Sequence, residues 1–129
     1  MNYLTPEQVL FIHTRLIDEF GSEHGVRDPG ILLASVERPQ ATYDDLDLYL
    51  NLYGKAAARI DSLIHNHPFL DGNMRTGIAS ASLFLSLNNV TLVASNEELI
   101  QFTMACARPE LTIEEIATWL EKQSRTRQA

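Results

Sequence analysis

Residues 67–76 read His-Pro-Phe-Leu-Asp-Gly-Asn-Met-Arg-Thr and lie between the two longest helical patterns of the chain. Gly72 permits a backbone with positive φ, and Asn73 is a favourable N-cap for the helix that follows. The first amides of a helix have no acceptor within that helix and therefore attract anions. The segment predicts a loop that joins two central helices and holds a phosphate group.

Helix start signals recur on both sides of this loop. Capping boxes begin at Thr5, Ser95 and Thr112, and Asp28-Pro29 is a further start signal. The apolar spacing predicts helices over residues 5–21, 28–38, 44–65, 73–87, 95–107 and from 112 onward. We expect short extended pieces at 39–43 and 90–93, and a frayed tail at 125–129. The pattern predicts an all-α, compact helical bundle that forms a single domain over residues 1–129.

Composition limits the classes of function. The 129 residues are 45% hydrophobic, which is enough for one core, and the formal charge is −7. Direct binding to nucleic acid is not expected, because it requires a basic face. The single cysteine, Cys106, excludes a disulfide framework, and its apolar surroundings predict a buried residue. Without a signal peptide pattern or an apolar run that could span a bilayer, we expect a cytoplasmic protein with no membrane partner.

The side chains of the loop predict an enzyme that uses a nucleotide. Histidine is a common general base, and His67 can take a proton from a substrate hydroxyl. Asp71 can hold a magnesium ion that bridges to a diphosphate. Arg75 adds a forked donor to the same phosphates, beside the backbone amides of residues 72–75. Phe69 can anchor the loop in the core.

Each of these residues also has a structural interpretation. A loop histidine is more often structural than catalytic, Asp-Gly-Asn is an ordinary turn before a helix, and a lone arginine is usually solvated. His65 and His67 could form part of a zinc site, but further ligands are not evident, and His13 and His24 are far away in sequence. The combination of all these residues in one window favours the catalytic interpretation.

The pattern His-Pro-Phe-x-Asp-Gly-Asn-x-Arg at residues 67–75 resembles the signature of the Fic/Doc family. The chain is similar to the compact Doc (death-on-curing) branch over nearly its whole length. Gly-x-x-Asp-x-Gly at residues 25–30, followed by Val-Glu-Arg-Pro at 36–39, is also Doc-like. The resemblance implies the Fic fold, in which this motif joins two central helices. It also implies that residues 39–43 form a flap that aligns an extended target segment by strand addition.

The resemblance assigns a role to each residue of the motif. It implies that His67 is the general base, that Asp71 holds Mg²⁺, and that Gly72, Asn73, Met74 and Arg75 bind the phosphates of ATP. Family members that transfer AMP often carry a glycine at position 74 and a second arginine at position 78. This chain has Met74 and Ile78 there.

Doc members also lack the second arginine, although they commonly have a lysine at position 74. They resemble kinases that pass the γ-phosphoryl group of ATP to a hydroxyl of a translation protein, such as elongation factor Tu, and thereby arrest growth. The resemblance therefore favours a toxin that acts by phosphoryl transfer. AMP transfer to a protein hydroxyl and a catalytically weak binding module remain alternatives.

A missing regulatory motif predicts a partner protein. Self-regulating Fic proteins carry Ser/Thr-x-x-x-Glu-Gly/Asn, and its glutamate blocks the motif arginine. No glutamate of this chain is followed by glycine or asparagine. The resemblance therefore implies a cognate antitoxin supplied in trans, whose disordered C-terminal segment folds onto an apolar groove of this domain.

Overall fold

The computed structural model describes residues 1–21 and 23–127, and most of them are helical. The α-helices are α1 Pro6–Phe20, α2 Pro29–Glu37, α3 Leu52–Asn66, α4 Asn73–Leu87, α5 Asn96–Cys106 and α6 Ile113–Lys122. A 3-10 helix, Arg38–Gln40, follows α2. Antiparallel pairs are formed by β1 Thr42–Tyr43 with β2 Leu46–Asp47, and by β3 Val90–Leu92 with β4 Ser124–Thr126. The predicted helical bundle is confirmed, with two small sheets added to it.

The predicted N-terminal signals begin four of the helices. Thr5, Ser95 and Thr112 each form a complete capping box with the residue three positions later. The Asp28 side chain accepts a hydrogen bond from the Ile31 amide at the start of α2. None of the described helices is long and apolar enough to cross a bilayer.

The prediction of one helix over residues 44–65 is wrong for its first third. Asp44 and Asp45 have φ values of 56° and 64°, so the chain turns in the left-handed region that aspartate tolerates and hairpin turns require. The resulting β1–β2 hairpin shares only Thr42 and Tyr43 with the predicted flap at residues 39–43. The flap itself is only partly extended, because its first residues, up to Gln40, belong to the 3-10 helix.

The prediction of a frayed tail is also wrong for residues 125–127. Ser124–Thr126 pairs with β3, and the Arg127 amide donates to the Asn89 carbonyl at 2.7 Å. The Arg127 guanidinium also donates to the Ser86 hydroxyl at 3.2 Å. Ser86 lies in the last turn of α4, and Asn89 lies between α4 and β3. These hydrogen bonds therefore attach the tail to the end of the central helix α4. Residues 128–129 lie outside the described part of the chain.

The core lies between α3 and α4 and is completed by the other helices. Its fully buried members include Ile60 and Leu63 from α3 and Phe84 and Leu85 from α4. The two helices are close at Gly77, where a Cβ would be in ordinary van der Waals contact with the Ile64 Cγ1, at 3.5 Å. Cys106 is buried as predicted, and burial raises the pKa of its thiol to about 12.

Two buried cations of α3 attach the preceding segment to the core. Arg59 is fully buried and donates to the Val36 carbonyl at 2.9 Å. Desolvation lowers the pKa of Arg59 to about 10. Lys55 donates to the Pro39 carbonyl at 3.1 Å and to the Asp47 carboxylate at 3.2 Å. The 3-10 helix and the hairpin are therefore held against α3 by hydrogen bonds to charged donors.

Candidate active site

The loop between α3 and α4 begins with a residue in a strained backbone conformation. His67 has φ 48° and ψ 61°, in the left-handed region, which costs a non-glycine residue about 1 kcal/mol or more. Arg27 stabilises this end of α3, because its Nε donates to the His67 carbonyl at 2.6 Å and its Nη2 to the Asn66 carbonyl at 2.7 Å. The His67 side chain is exposed. The candidate base therefore stands at a helix end whose carbonyls are fixed by an arginine.

The segment before α2 pairs with the motif loop. The Arg27 and Asp28 amides both donate to the Pro68 carbonyl, at 2.7 and 3.1 Å, and the Leu70 amide donates to the Gly25 carbonyl at 3.1 Å. Gly25 has φ 132°, and a Cβ there would lie 2.9 Å from the Leu70 Cδ1. The upstream glycine-rich stretch thus supports the loop, with Arg27 as a contributor whose role the sequence did not indicate.

Phe69 and Asn73 tie the loop to the first turn of α4. Phe69 is 1% exposed. Its amide donates to the Asn73 Oδ1 and its carbonyl accepts from the Asn73 Nδ2, both at 3.0 Å. The prediction of Asn73 as the N-cap is therefore wrong: Gly72 is the N-cap and Asn73 is the first helical residue. The Asn73 side chain thus bonds to both backbone groups of Phe69, the residue that packs into the core.

Gly72 sets the direction of the α4 N-terminus. Its φ is 81°, and a Cβ there would lie 2.9 Å from the Ile17 Cδ1. The first helical hydrogen bond runs from the Thr76 amide to the Gly72 carbonyl at 3.0 Å, so the amides of residues 73–75 have no acceptor within the helix. This arrangement fits an anion at the start of α4.

The Asp71 carboxylate lies beside the same helix start. Its Oδ1 accepts from the Gly72 amide at 2.8 Å. On the other side, the Asp71 Oδ2 approaches Gly21, where a Cβ would lie 3.2 Å from this oxygen and only 2.5 Å from the Ile17 Cδ1. Among the described residues, no group of three His, Cys, Asp or Glu side chains could hold a metal ion. A magnesium ion at Asp71 would therefore take further oxygen ligands from phosphate and water, as is common for this ion.

The predicted site residues line one cavity of about 410 Å³, formed by the end of α1, the loop and the start of α4. Its lining residues are Leu16, Ile17, Phe20, Gly21, His67 and residues 70–75. The Arg75 guanidinium carbon lies 4.5 Å from the Phe20 ring centroid, a cation–π contact. Met74 packs against the core, as does Ile78 one turn later. The cavity brings together a histidine, a carboxylate, an arginine and a helix N-terminus.

His13 on α1 also contacts the loop, although its sequence position was unremarkable. It is 3% exposed, its ring stacks on Phe69 at a centroid distance of 3.7 Å, and its Nε2 lies 2.8 Å from the Asp71 carbonyl oxygen. Burial lowers the pKa of His13. His65, which the sequence suggested together with His67 as part of a zinc site, lies 3.8 Å from Asp61. No sequence pattern relates His13 to a loop that is more than fifty residues away.

Comparison with known proteins identifies the class of this helical domain. A family model described as the Fic/DOC family matches residues 3–85. The chain belongs to the Fic/DOC family, which confirms the resemblance of the motif.

Two curated relatives are similar to this chain. It is 49% identical over 92 residues to "Toxin Doc" of Mycolicibacterium smegmatis, covering 71% of this chain and 68% of that protein. It is 31% identical over 124 residues to "Protein kinase doc" of Escherichia phage P1, covering 95% of each.

Proposed function

We propose that this protein is a Doc-type toxin of a toxin–antitoxin pair that transfers the γ-phosphoryl group of ATP to a hydroxyl of a translation protein. The observation that carries the proposal is the shared cavity of His67, Asp71 and Arg75 at the N-terminus of α4. The similarity to proteins named as a toxin and as a protein kinase supports the same conclusion.

The residues of the cavity divide the work of phosphoryl transfer. His67 takes the proton of the attacking hydroxyl, because an exposed imidazole can act as a base near pH 7. The amides of residues 73–75 and the Arg75 guanidinium bind the phosphate oxygens. Asp71 would hold magnesium, which would supply positive charge to the phosphates when bound. Arg75 must leave the Phe20 ring, at least in part, to reach them.

Phosphoryl transfer is favoured over AMP transfer by one side chain in particular. Ile78 packs against the hydrophobic core, so one turn after Met74 there is no cation to hold a nucleotide in the orientation for AMP transfer. Met74 carries no charge that could neutralise phosphate. A catalytically weak enzyme that acts as a binding module is therefore the competing function.

Transfer can be tested with the purified protein. The chain is incubated with ATP, magnesium and a cell lysate, and modified proteins are identified by mass spectrometry. We expect a phosphoryl mass on a translation protein such as elongation factor Tu. An adenylyl mass would establish AMP transfer instead, and no modification by a chain that binds ATP would indicate a binding module.

Two histidine variants give a matched control for the base. His67→Ala should abolish transfer while the protein still binds nucleotide. His65→Ala, two residues earlier at the same helix end, should retain transfer, because this half-buried side chain lies beside Asp61 and does not line the cavity. Equal loss in both variants would contradict the assignment of His67.

The antitoxin is proposed to cover the apolar side of this cavity. Leu16, Ile17, Phe20 and Leu70 line it, and the exposed fractions of Phe20 and Leu70 are 56% and 49%. An apolar helical segment could pack there beside Arg75. Expression of the chain alone should arrest growth, and the product of a neighbouring gene should restore it. Normal growth on expression would contradict the toxin function.

A further inference from the structure

We infer that His13 is a positioning residue for the candidate active site, because it fixes the peptide group that joins Asp71 to Gly72. The inference rests on the proposed function, since it concerns the nucleotide site of the same cavity. His13 does not line that cavity, and no motif includes it. It contacts the loop from α1.

The hydrogen bond defines the state of the ring. A carbonyl oxygen can only accept, so the His13 Nε2 at 2.8 Å from the Asp71 oxygen must carry the proton and donate it. The backbone partner therefore determines which ring nitrogen acts as the donor.

The position of this bond gives it influence over the site. The Asp71 carbonyl belongs to the peptide group whose orientation sets both the Asp71 backbone and the φ of Gly72. A Cβ at Gly72 would lie 3.6 Å from the His13 Cδ2, so the ring also packs against the glycine. The face of the ring rests on Phe69. The His13 ring thus contacts Phe69, Asp71 and Gly72.

A histidine that only packs in the core would be equally buried. Packing and positioning can be separated, however, because they depend on different parts of the ring. A packing role needs only a flat apolar group on Phe69, which His13→Phe preserves. A positioning role needs the donor to the Asp71 carbonyl, which His13→Gln preserves because its amide nitrogen can occupy the place of Nε2. The pair of variants therefore separates the stack from the hydrogen bond.

The test measures the binding of ADP with magnesium by calorimetry, together with the thermal unfolding midpoint. His13→Phe should remain folded but bind at least about tenfold more weakly, which is about 1.4 kcal/mol. His13→Gln should bind within about threefold of the wild type, even where its midpoint falls. The control is His24→Phe, at an exposed histidine that pairs with Asp18, and it should bind as the wild type does.

Each other outcome has a definite meaning. Wild-type affinity in His13→Phe, or a folded His13→Gln that binds tenfold more weakly, would overturn the positioning role. Should His13→Phe not fold, His13→Gln decides by the same criterion, and failure of both to fold would assign His13 to packing alone. If the wild type itself binds no nucleotide, the proposed function fails and the positioning role fails with it.

Discussion

Replacing Gly72 with alanine would test whether the start of α4 depends on a left-handed residue. Gly72 has a φ of 81°, and an L-residue in this region costs about 1–2 kcal/mol. The new Cβ would lie 2.9 Å from the Ile17 Cδ1, and the shift forced on Ile17 adds roughly 1 kcal/mol. The lower chain entropy of unfolded alanine offsets about 0.5–1 kcal/mol. We therefore expect the free energy of unfolding to fall by about 2 kcal/mol, with a midpoint lower by roughly 8 °C.

Urea unfolding followed by fluorescence would measure this loss, because the single tryptophan, Trp119, stacks on Phe102 and reports on the core. Gly30→Ala is the matched control. Gly30 lies in the first turn of α2, and the nearest atom to a Cβ there would be the Asp28 Oδ1 at 3.4 Å. This variant should be neutral or slightly more stable, because alanine is the better helix former. If the free energy of unfolding of Gly72→Ala lies within about 0.5 kcal/mol of the wild-type value, the start of α4 does not depend on a left-handed residue.

A second substitution would divide the loss into its two causes. Ile17→Val removes the Cδ1 atom that the new methyl group would meet. In that background Gly72→Ala should cost about 1 kcal/mol less than in the wild type, because only the backbone strain remains. The absence of any such coupling would show that Ile17 moves aside without cost.

Three further predictions concern other parts of the chain. Met74→Lys should tighten ATP binding about fivefold, near 1 kcal/mol, because it adds a cation at the start of α4; unchanged affinity would place phosphate elsewhere. Arg27→Ala should lower stability by about 1–3 kcal/mol, because it removes the donors to the Asn66 and His67 carbonyls, whereas Arg108→Ala at an exposed position should not. The buried Cys106 thiol, whose pKa is raised to about 12, should resist iodoacetamide at pH 7.5 until urea unfolds the protein; rapid labelling would contradict its burial.

Local signals predicted the elements whose structure is decided locally. The capping boxes at Thr5, Ser95 and Thr112 each place both hydrogen-bond partners within three residues, so short sequence patterns identify these helix starts. The hairpin was missed because Leu46 and Tyr49 also fit the helical spacing of α3. The alternation of Leu46, Leu48 and Leu50, together with the Asp44-Asp45 pair, was the signal for a hairpin.

The candidate site was predictable in part for the same reason. Its histidine, carboxylate, glycine and arginine lie within nine residues, so their order along the chain predicts that they lie together. The residues that support them are distant in sequence: Arg27 contacts His67 across 40 positions, and His13 contacts Asp71 across 58. Such contacts depend on how α1 and α2 pack, which a single sequence does not specify.

The burial of Lys55 and Arg59 has a consequence for how a charged ligand reaches this protein. Both cations lie in the core, at 1% and 0% exposure, so neither can contact an anion at the surface, while the net charge of −7 sets the field at long range. A polyphosphate anion therefore meets a repulsive long-range field until it is close to the start of α4. Added salt screens that repulsion. The association rate constant of the nucleotide should accordingly increase with ionic strength, whereas proteins with basic phosphate sites show the reverse.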